Sequence, residues 1–273
     1  MNLLGKYSAE IISLLESNLI NPEDGLHHHY KSLEIYGANE IDLKTGFVLK
    51  QFLNSEFNTL LEVQEGQHLS IDLPVYLLND TAKLNIMICA MDPLSHHENN
   101  GKIGIWNPFS IIKKNENFRG SDSSNHAFFT PLKKNYNLYI TDIYKLYFMH
   151  NGKKSNSISK YTKLKLHRTI LKQEITIISP QYIITLGNTS KNALLGIFKE
   201  TGSSLIKSSI EGIEIYEVNT MAFKIICLPH ISGLASGAKN KLLAGKNSEG
   251  RYINEKLAYF LLSILKTKPY TEN

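Results

Sequence analysis

Four short apolar runs do most to limit what this chain folds into. They are Leu84–Met91, Leu138–Asp142, Tyr182–Gly187 and Phe223–Leu228. Each is short, largely apolar and bounded by turn residues, which reads as a strand buried on both faces rather than an alternating, half-exposed one. Helical patterns separate them. Leu164, Leu171, Ile175 and Ile178 form one stripe that ends at Ser179-Pro180, and Asn188-Thr189-Ser190 offers an N-cap for a helix through Phe198. Ile253, Leu257, Phe260, Leu261, Ile264 and Leu265 mark a last helix. Buried strands alternating with helices predict an α/β fold, a mainly parallel four-stranded sheet with helices on both faces. Residues 201–218 add a hairpin or an edge strand.

The N-terminal part is less regular. Residues 8–19 have the spacing of an amphipathic helix, with Ser8 as its cap and Asn21-Pro22 as its stop. His27-His28-His29 reads as an exposed loop, because three adjacent side chains cannot face one metal from a regular element. A helix is expected over Gly46–Leu61 and a short strand near Val75–Leu78. With no repeat or low-complexity linker, the expectation is one domain over 1–273. Residues 1–80 form an N-terminal helical elaboration, 84–245 the core and 249–266 a C-terminal helix.

Composition narrows the function classes. The chain of 273 residues is 42% hydrophobic and 20% charged, with a formal net charge of +5. Arg119, Arg168 and Arg251 are its three arginines, so lysine carries nearly all the positive charge. A mildly basic surface suits a phosphate polymer, though it equally fits a plain solvated surface. Cys89 and Cys227 fall in apolar runs and read as core residues rather than a disulfide or a cluster site. The absence of a basic, then apolar, leader and of any membrane-length run leads us to expect a cytoplasmic protein that does not enter a membrane.

In an open α/β sheet, ligands bind outside the carboxyl ends of the strands. Three of these ends carry polar residues: Asp92 after the first run, Asp142 closing the second, and His230 after the fourth. Two carboxylates and an imidazole converging on one edge would make a catalytic constellation; the same residues also serve ordinary turns.

Around these residues the chain resembles the uracil-DNA glycosylase superfamily over roughly residues 84–245. Its first motif, Gly-x-(Asp/Asn)-Pro after the first core strand, is matched by Ala90-Met91-Asp92-Pro93. Its second, His-Pro-Ser followed by a loop containing Leu, is matched by His230-Ile231-Ser232-Gly233-Leu234. Phe109 stands where an aromatic stacks on the extruded base, and Thr141-Asp142 where a strand ends in the base-reading Asn. Ile183–Gly187 with its following helix resembles the third core strand.

The resemblance implies a monofunctional DNA glycosylase without cofactor or metal. It would act as a monomer on duplex or single-stranded DNA with a flipped-out base. Asp92 and His230 would be catalytic, with Asp92 stabilising the oxocarbenium-like sugar and orienting water, and His230 bonding the base O2. Phe109, Asp142, Met91 and Pro93 would hold the base. Leu234 would wedge into the gap, and Ser232, Gly233, Lys239 and Lys241 would meet the backbone.

Ala90 departs from the motif glycine and Ile231 from the motif proline. The third departure is chemical: an ionised Asp142 offers acceptors only, where Asn offers a donor and an acceptor. It would repel uracil O4 and accept from an exocyclic amine such as cytosine N4. A branch of the superfamily restricts phage by excising glucosylated hydroxymethylcytosine, so a modified cytosine in antiviral defence is the expected substrate. Uracil removal in base-excision repair and a non-catalytic DNA-binding module are the alternatives, and Asp142 as a simple turn cap stays open. His96, His97 and Glu98 read as pocket lining, solvated loop or metal ligands, and Trp106 as pocket wall or core. Residues 113–130 and the loop at Lys153-Lys154 read as polar loops in reach of DNA. No phosphate-binding glycine loop or serine nucleophile elbow is present.

Overall fold

A computed structural model describes residues 3–20, 22–36, 39–42, 69–82, 84–91, 102–111, 121–150, 153–154, 165–219, 221–246 and 250–267. Its internal contacts group the chain into two units: residues 1–75, 91–115 and 140–178 in one, and 76–90, 116–139 and 179–273 in the other. The N-terminal segment therefore shares a unit with two stretches of the expected core.

The four apolar runs are strands: β4 (Asn85–Ala90), β6 (Asn137–Asp142), β9 (Tyr182–Leu186) and β12 (Lys224–Leu228). β6 and β9 are buried throughout, β4 all but Asn85, and β12 all but Lys224 and Cys227, which is why their sequences run apolar rather than alternating. β4 pairs with β9, and β9 with β12, in parallel. Asn137 N–H donates to Leu84 O at 3.0 Å and Tyr144 N–H to Met91 O at 2.9 Å. Both bonds advance along β4 and β6 in the same direction, so this pair is parallel too.

The sheet is larger than expected. Its seven strands run β10-β11-β12-β9-β4-β6-β3, where β3 is Val75–Leu77, β10 Leu205–Ile210 and β11 Ile213–Val218. β10 and β11 form the hairpin expected within 201–218, and β11 pairs antiparallel with β12, which makes the sheet mixed. The parallel four are its centre. A hairpin can join the edge because antiparallel neighbours need only a tight turn, here with Glu211 and Gly212 at positive φ.

A second sheet was not foreseen. Its order is β1-β5-β2-β7-β8, from β1 (Asn39–Asp42), β2 (Leu69–Asp72), β5 (Lys102–Trp106), β7 (Tyr147–His150) and β8 (Lys153–Lys154). Apart from the local β7–β8 hairpin, these strands are short and distant in sequence, so no local pattern announces their pairing.

Seven α-helices are described. α1 (Ser8–Asn18) and α4 (Lys165–Ile178) pack together in the first unit, with α2 (Gly25–Tyr36) beside α1. In the second unit α3 (Ser121–Lys133) packs along α7 (Ile253–Thr267), which also meets α6 (Ser236–Leu243), while α5 (Asn188–Glu200) follows β9. Ser8 lies inside α1 rather than capping it.

His27–His29 lie in α2 rather than a loop. Leu26, His29, Tyr30 and Leu33 make its buried face, and Glu16 of α1 accepts the Leu26 N–H at 2.7 Å, supplying a partner for an early helix donor. Residues 121–130, expected as polar loop, are helical because Phe128, Phe129 and Leu132 are buried. Lys153-Lys154 form an edge strand rather than a loop. The helix expected at Gly46–Leu61 falls outside the described residues. Among the described residues no helix is long and apolar enough to cross a membrane.

Candidate active site

In the second unit, β4, β9 and β12 end together. Cys89, Thr185 and Cys227 sit side by side in the ladder, so Ala90, Leu186 and Leu228 reach one edge in register. Chain connectivity then leads from Ala90 to Met91-Asp92, from Leu186 to Gly187, and from Leu228 to Pro229-His230. Asp92 and Pro93, like His96, His97 and Glu98, lie outside the described residues.

His230 is held by its own loop. Its Nδ1 accepts the Ser232 N–H at 3.0 Å. An imidazole nitrogen that accepts has no hydrogen, so the neutral ring carries its proton on Nε2. Burial, and then the nearby Lys239 ammonium, hold the His230 pKa below its ordinary value. Both favour the neutral ring, whose Nε2–H is a directed donor.

Gly187 lies against this histidine. Its φ of +93° and ψ of 161° belong to a region nearly confined to glycine, and a Cβ there would stand 3.5 Å from His230 Cβ. Its N–H donates to Leu228 O at 2.8 Å, tying the end of β9 to the residue before Pro229-His230. Gly187→Ala should cost about 1–3 kcal/mol from backbone strain alone, measured by urea unfolding.

The rest of the second motif divides in two. Leu234 stands at the tip of a 3₁₀ turn, Gly233–Ala235, with its side chain fully exposed (102%). Gly233 and Lys241 are exposed as well and Ser232 is half-buried. Lys239, expected on DNA phosphates, points inward: Nζ donates to Ile231 O and Ser232 O at 3.0 Å each and to Asn254 Oδ1 at 2.7 Å. A groove of about 750 Å³ runs beside His230, lined among others by Gly187, Lys191, Glu214, Cys227, Lys241 and Lys246. Glu214 is bonded by Lys207 and Lys191, which lower its pKa to about 2, so much of the groove's positive charge is already paired.

In the first unit, Asp142 ends β6 almost fully buried, at 2% exposure. The bond from Tyr144 N–H to Met91 O holds the turn after Asp142 against the residue that precedes Asp92. Beneath it lies a buried charged network. Lys145 Nζ donates to Glu174 Oε2 at 2.7 Å and to Thr141 Oγ1 at 2.6 Å, and Thr141 Oγ1 donates to Glu174 Oε1 at 3.1 Å. Lys145 N–H reaches His167 Nδ1 at 3.4 Å. Thr141 thus belongs to the support of β6.

Phe109 is half-buried in a 3₁₀ turn after β5, at φ 58° and ψ 16°. A left-handed conformation in an aromatic residue is strained and is found where a side chain must be aimed. Trp106 ends β5 and is half-buried.

Sequence reasoning did not single out Lys145, Glu174, Asn254 or the bracing role of Gly187. Glu174 and Asn254 had left a signal: each is a polar residue inside an otherwise apolar helical stripe, beside Leu171 and Ile175 or Leu257 and Ala258.

The class is thus an α/β protein that presents an imidazole donor at the carboxyl edge of its parallel strands. A family model described as "Uracil DNA glycosylase superfamily" matches residues 79–252, nearly two thirds of the chain, and the chain belongs to that superfamily of DNA glycosylases. No curated protein matches it.

Proposed function

We propose that this protein is a monofunctional DNA glycosylase that removes a cytosine-type base, in particular a modified cytosine such as the glucosylated hydroxymethylcytosine of phage DNA. The observation that carries the choice of base is Asp142. It is buried at the end of β6, and by the motif resemblance it stands in for the base-reading Asn. Deep burial strengthens the discrimination of an acceptor-only carboxylate, because a mismatched acceptor such as uracil O4 has no water to relieve the repulsion. The N4 amine of cytosine supplies the donor that Asp142 lacks.

The chemistry follows from the other residues. The target nucleotide leaves the stack, since its sugar–base bond is inaccessible there. Leu234 fills the gap and Phe109 stacks on the base. The C1′–N1 bond breaks with its electron pair going to the base. Positive charge on the sugar is met by Asp92, and negative charge on the base O2 by the His230 Nε2–H. Water oriented by Asp92 adds to C1′ and loses a proton through that carboxylate, while the departed base anion takes one up, leaving an abasic site and a neutral free base. The neutral imidazole fits this role because Nδ1 accepts the Ser232 N–H while Nε2–H donates, so one bond aims the other.

Oligonucleotides carrying uracil, a G·T mismatch, hydroxymethylcytosine or its glucosylated form, duplex and single-stranded, followed by hot alkali, test the choice of base. Strand breaks at a cytosine-type base are expected. Asp142→Asn should reduce excision of that base by about 10- to 100-fold, the worth of one good base-edge pair, and favour uracil. An unchanged preference in Asp142→Asn would remove Asp142 from the role of base reader.

A further inference from the structure

We propose that Lys239 and Asn254 are positioning residues for His230: a buried clamp that fixes the Ile231 and Ser232 carbonyls and thereby the tautomer and direction of the imidazole. The inference rests on His230 being the donor to the base.

The geometry is closed on three sides. Lys239 Nζ bonds both carbonyls, and Asn254 Nδ2 adds a second bond to Ile231 O at 2.8 Å. The remaining link joins the two clamp residues, Lys239 Nζ to Asn254 Oδ1. Ala235 N–H also donates to Ser232 O at 3.2 Å, so each carbonyl accepts twice. Ser232 N–H shares its peptide plane with Ile231 O, so holding the two planes that flank Ser232 Cα fixes the N–H that binds His230 Nδ1. Ile231 cannot preset this path itself, because its φ is free where a proline's would be locked.

The clamp is also an expensive choice for mere packing. Lys239 is 1% exposed and Asn254 fully buried, and a buried ammonium is tolerated only with its donors satisfied. It offers a benefit that an apolar filler would not: its charge disfavours a second proton on His230. Other charged groups line the adjoining groove: Lys191 of α5, Glu211 and Glu214 of the hairpin, and Lys241 and Lys246 near α6. Among the described residues, Lys239 is the one whose charge bears on the ring.

The test is read on the free protein, so it does not depend on the substrate. Full-length protein with ¹⁵N-labelled histidine is titrated by NMR, with His230→Gln to assign the resonance. The wild-type ring should show the Nε2–H form and a midpoint below that of an ordinary histidine. Lys239→Met should raise that midpoint and mix the tautomers; Asn254→Asp, which keeps an acceptor for Lys239 but loses the bond to Ile231 O, should mix them without raising the midpoint as far. On whichever oligonucleotide is cleaved, both variants should lower kcat by about 10- to 100-fold, as misplacement of a reacting group does, with KM changed less than about threefold. If Lys239→Met does not fold, Asn254→Asp alone decides by its tautomer. An unchanged tautomer and midpoint in the folded variants, or a weakened affinity for DNA with kcat intact, would overturn the clamp and return Lys239 to the phosphate backbone. Absence of cleavage by the wild type with the NMR result as expected would count against the glycosylase reading alone.

Discussion

Glu174→Ala is expected to destabilise the protein by about 3–5 kcal/mol, the cost of breaking a buried ion pair from one side. The reason is the partner left behind. Lys145 is 1% exposed, and with Glu174 gone its ammonium keeps one hydroxyl, Thr141 Oγ1, in place of a carboxylate. The double variant Lys145→Met/Glu174→Leu separates charge from packing, since apolar replacements of similar size remove both burial penalties together. It should be far less destabilised than Glu174→Ala, and is expected near neutral. Urea unfolding of the three proteins checks this; equal losses for the single and double variants would mean that the network's worth is packing. The network also braces the residue just before Asp142, the proposed base reader. The double variant should therefore fold well yet discriminate less between bases.

His230→Ala should lower the rate of base excision by about 10²–10³-fold, the usual loss of one donor to a developing oxyanion. Binding of the same DNA should change little, because the ring's donor is worth most when charge builds on the base. Single-turnover kinetics beside a binding titration make the separation. The pH profile carries the sign. The folded pKa of His230 lies below 6.5 through burial and Lys239, so the neutral donor persists as pH falls through 6.5 and fails only below the lowered value. For stability, the unfolded chain takes up this proton first, so the His230 contribution to folding diminishes as pH drops below about 6.5.

The parallel core could be read from the sequence because strands buried on both faces show as apolar runs whatever surrounds them. The position of His230 after β12 and the exposure of Leu234 followed from their place after such a run. What stayed hidden depends on contacts between distant segments. Nothing local says that Leu69–Asp72 pairs with both Lys102–Trp106 and Tyr147–His150, nor that Lys145 meets Glu174 across 29 residues. Lys239 misled for a physical reason: a lysine in a polar segment normally faces solvent, and it is buried here, in α6, because Ile231 O, Ser232 O and Asn254 Oδ1 together satisfy its ammonium. The histidines of α2 misled in the opposite way, since their polarity masked the Leu26–Leu33 stripe.

The central claim is that this protein hydrolyses the bond between sugar and base. Mass spectrometry of the small molecules released from duplex DNA containing glucosylated hydroxymethylcytosine tests it most directly. The account predicts a free modified cytosine, an equal amount of abasic sites, and neither product with Asp92→Asn. Tight binding of the DNA by the wild type with no base released, from this substrate or from its uracil and hydroxymethylcytosine counterparts, would contradict it.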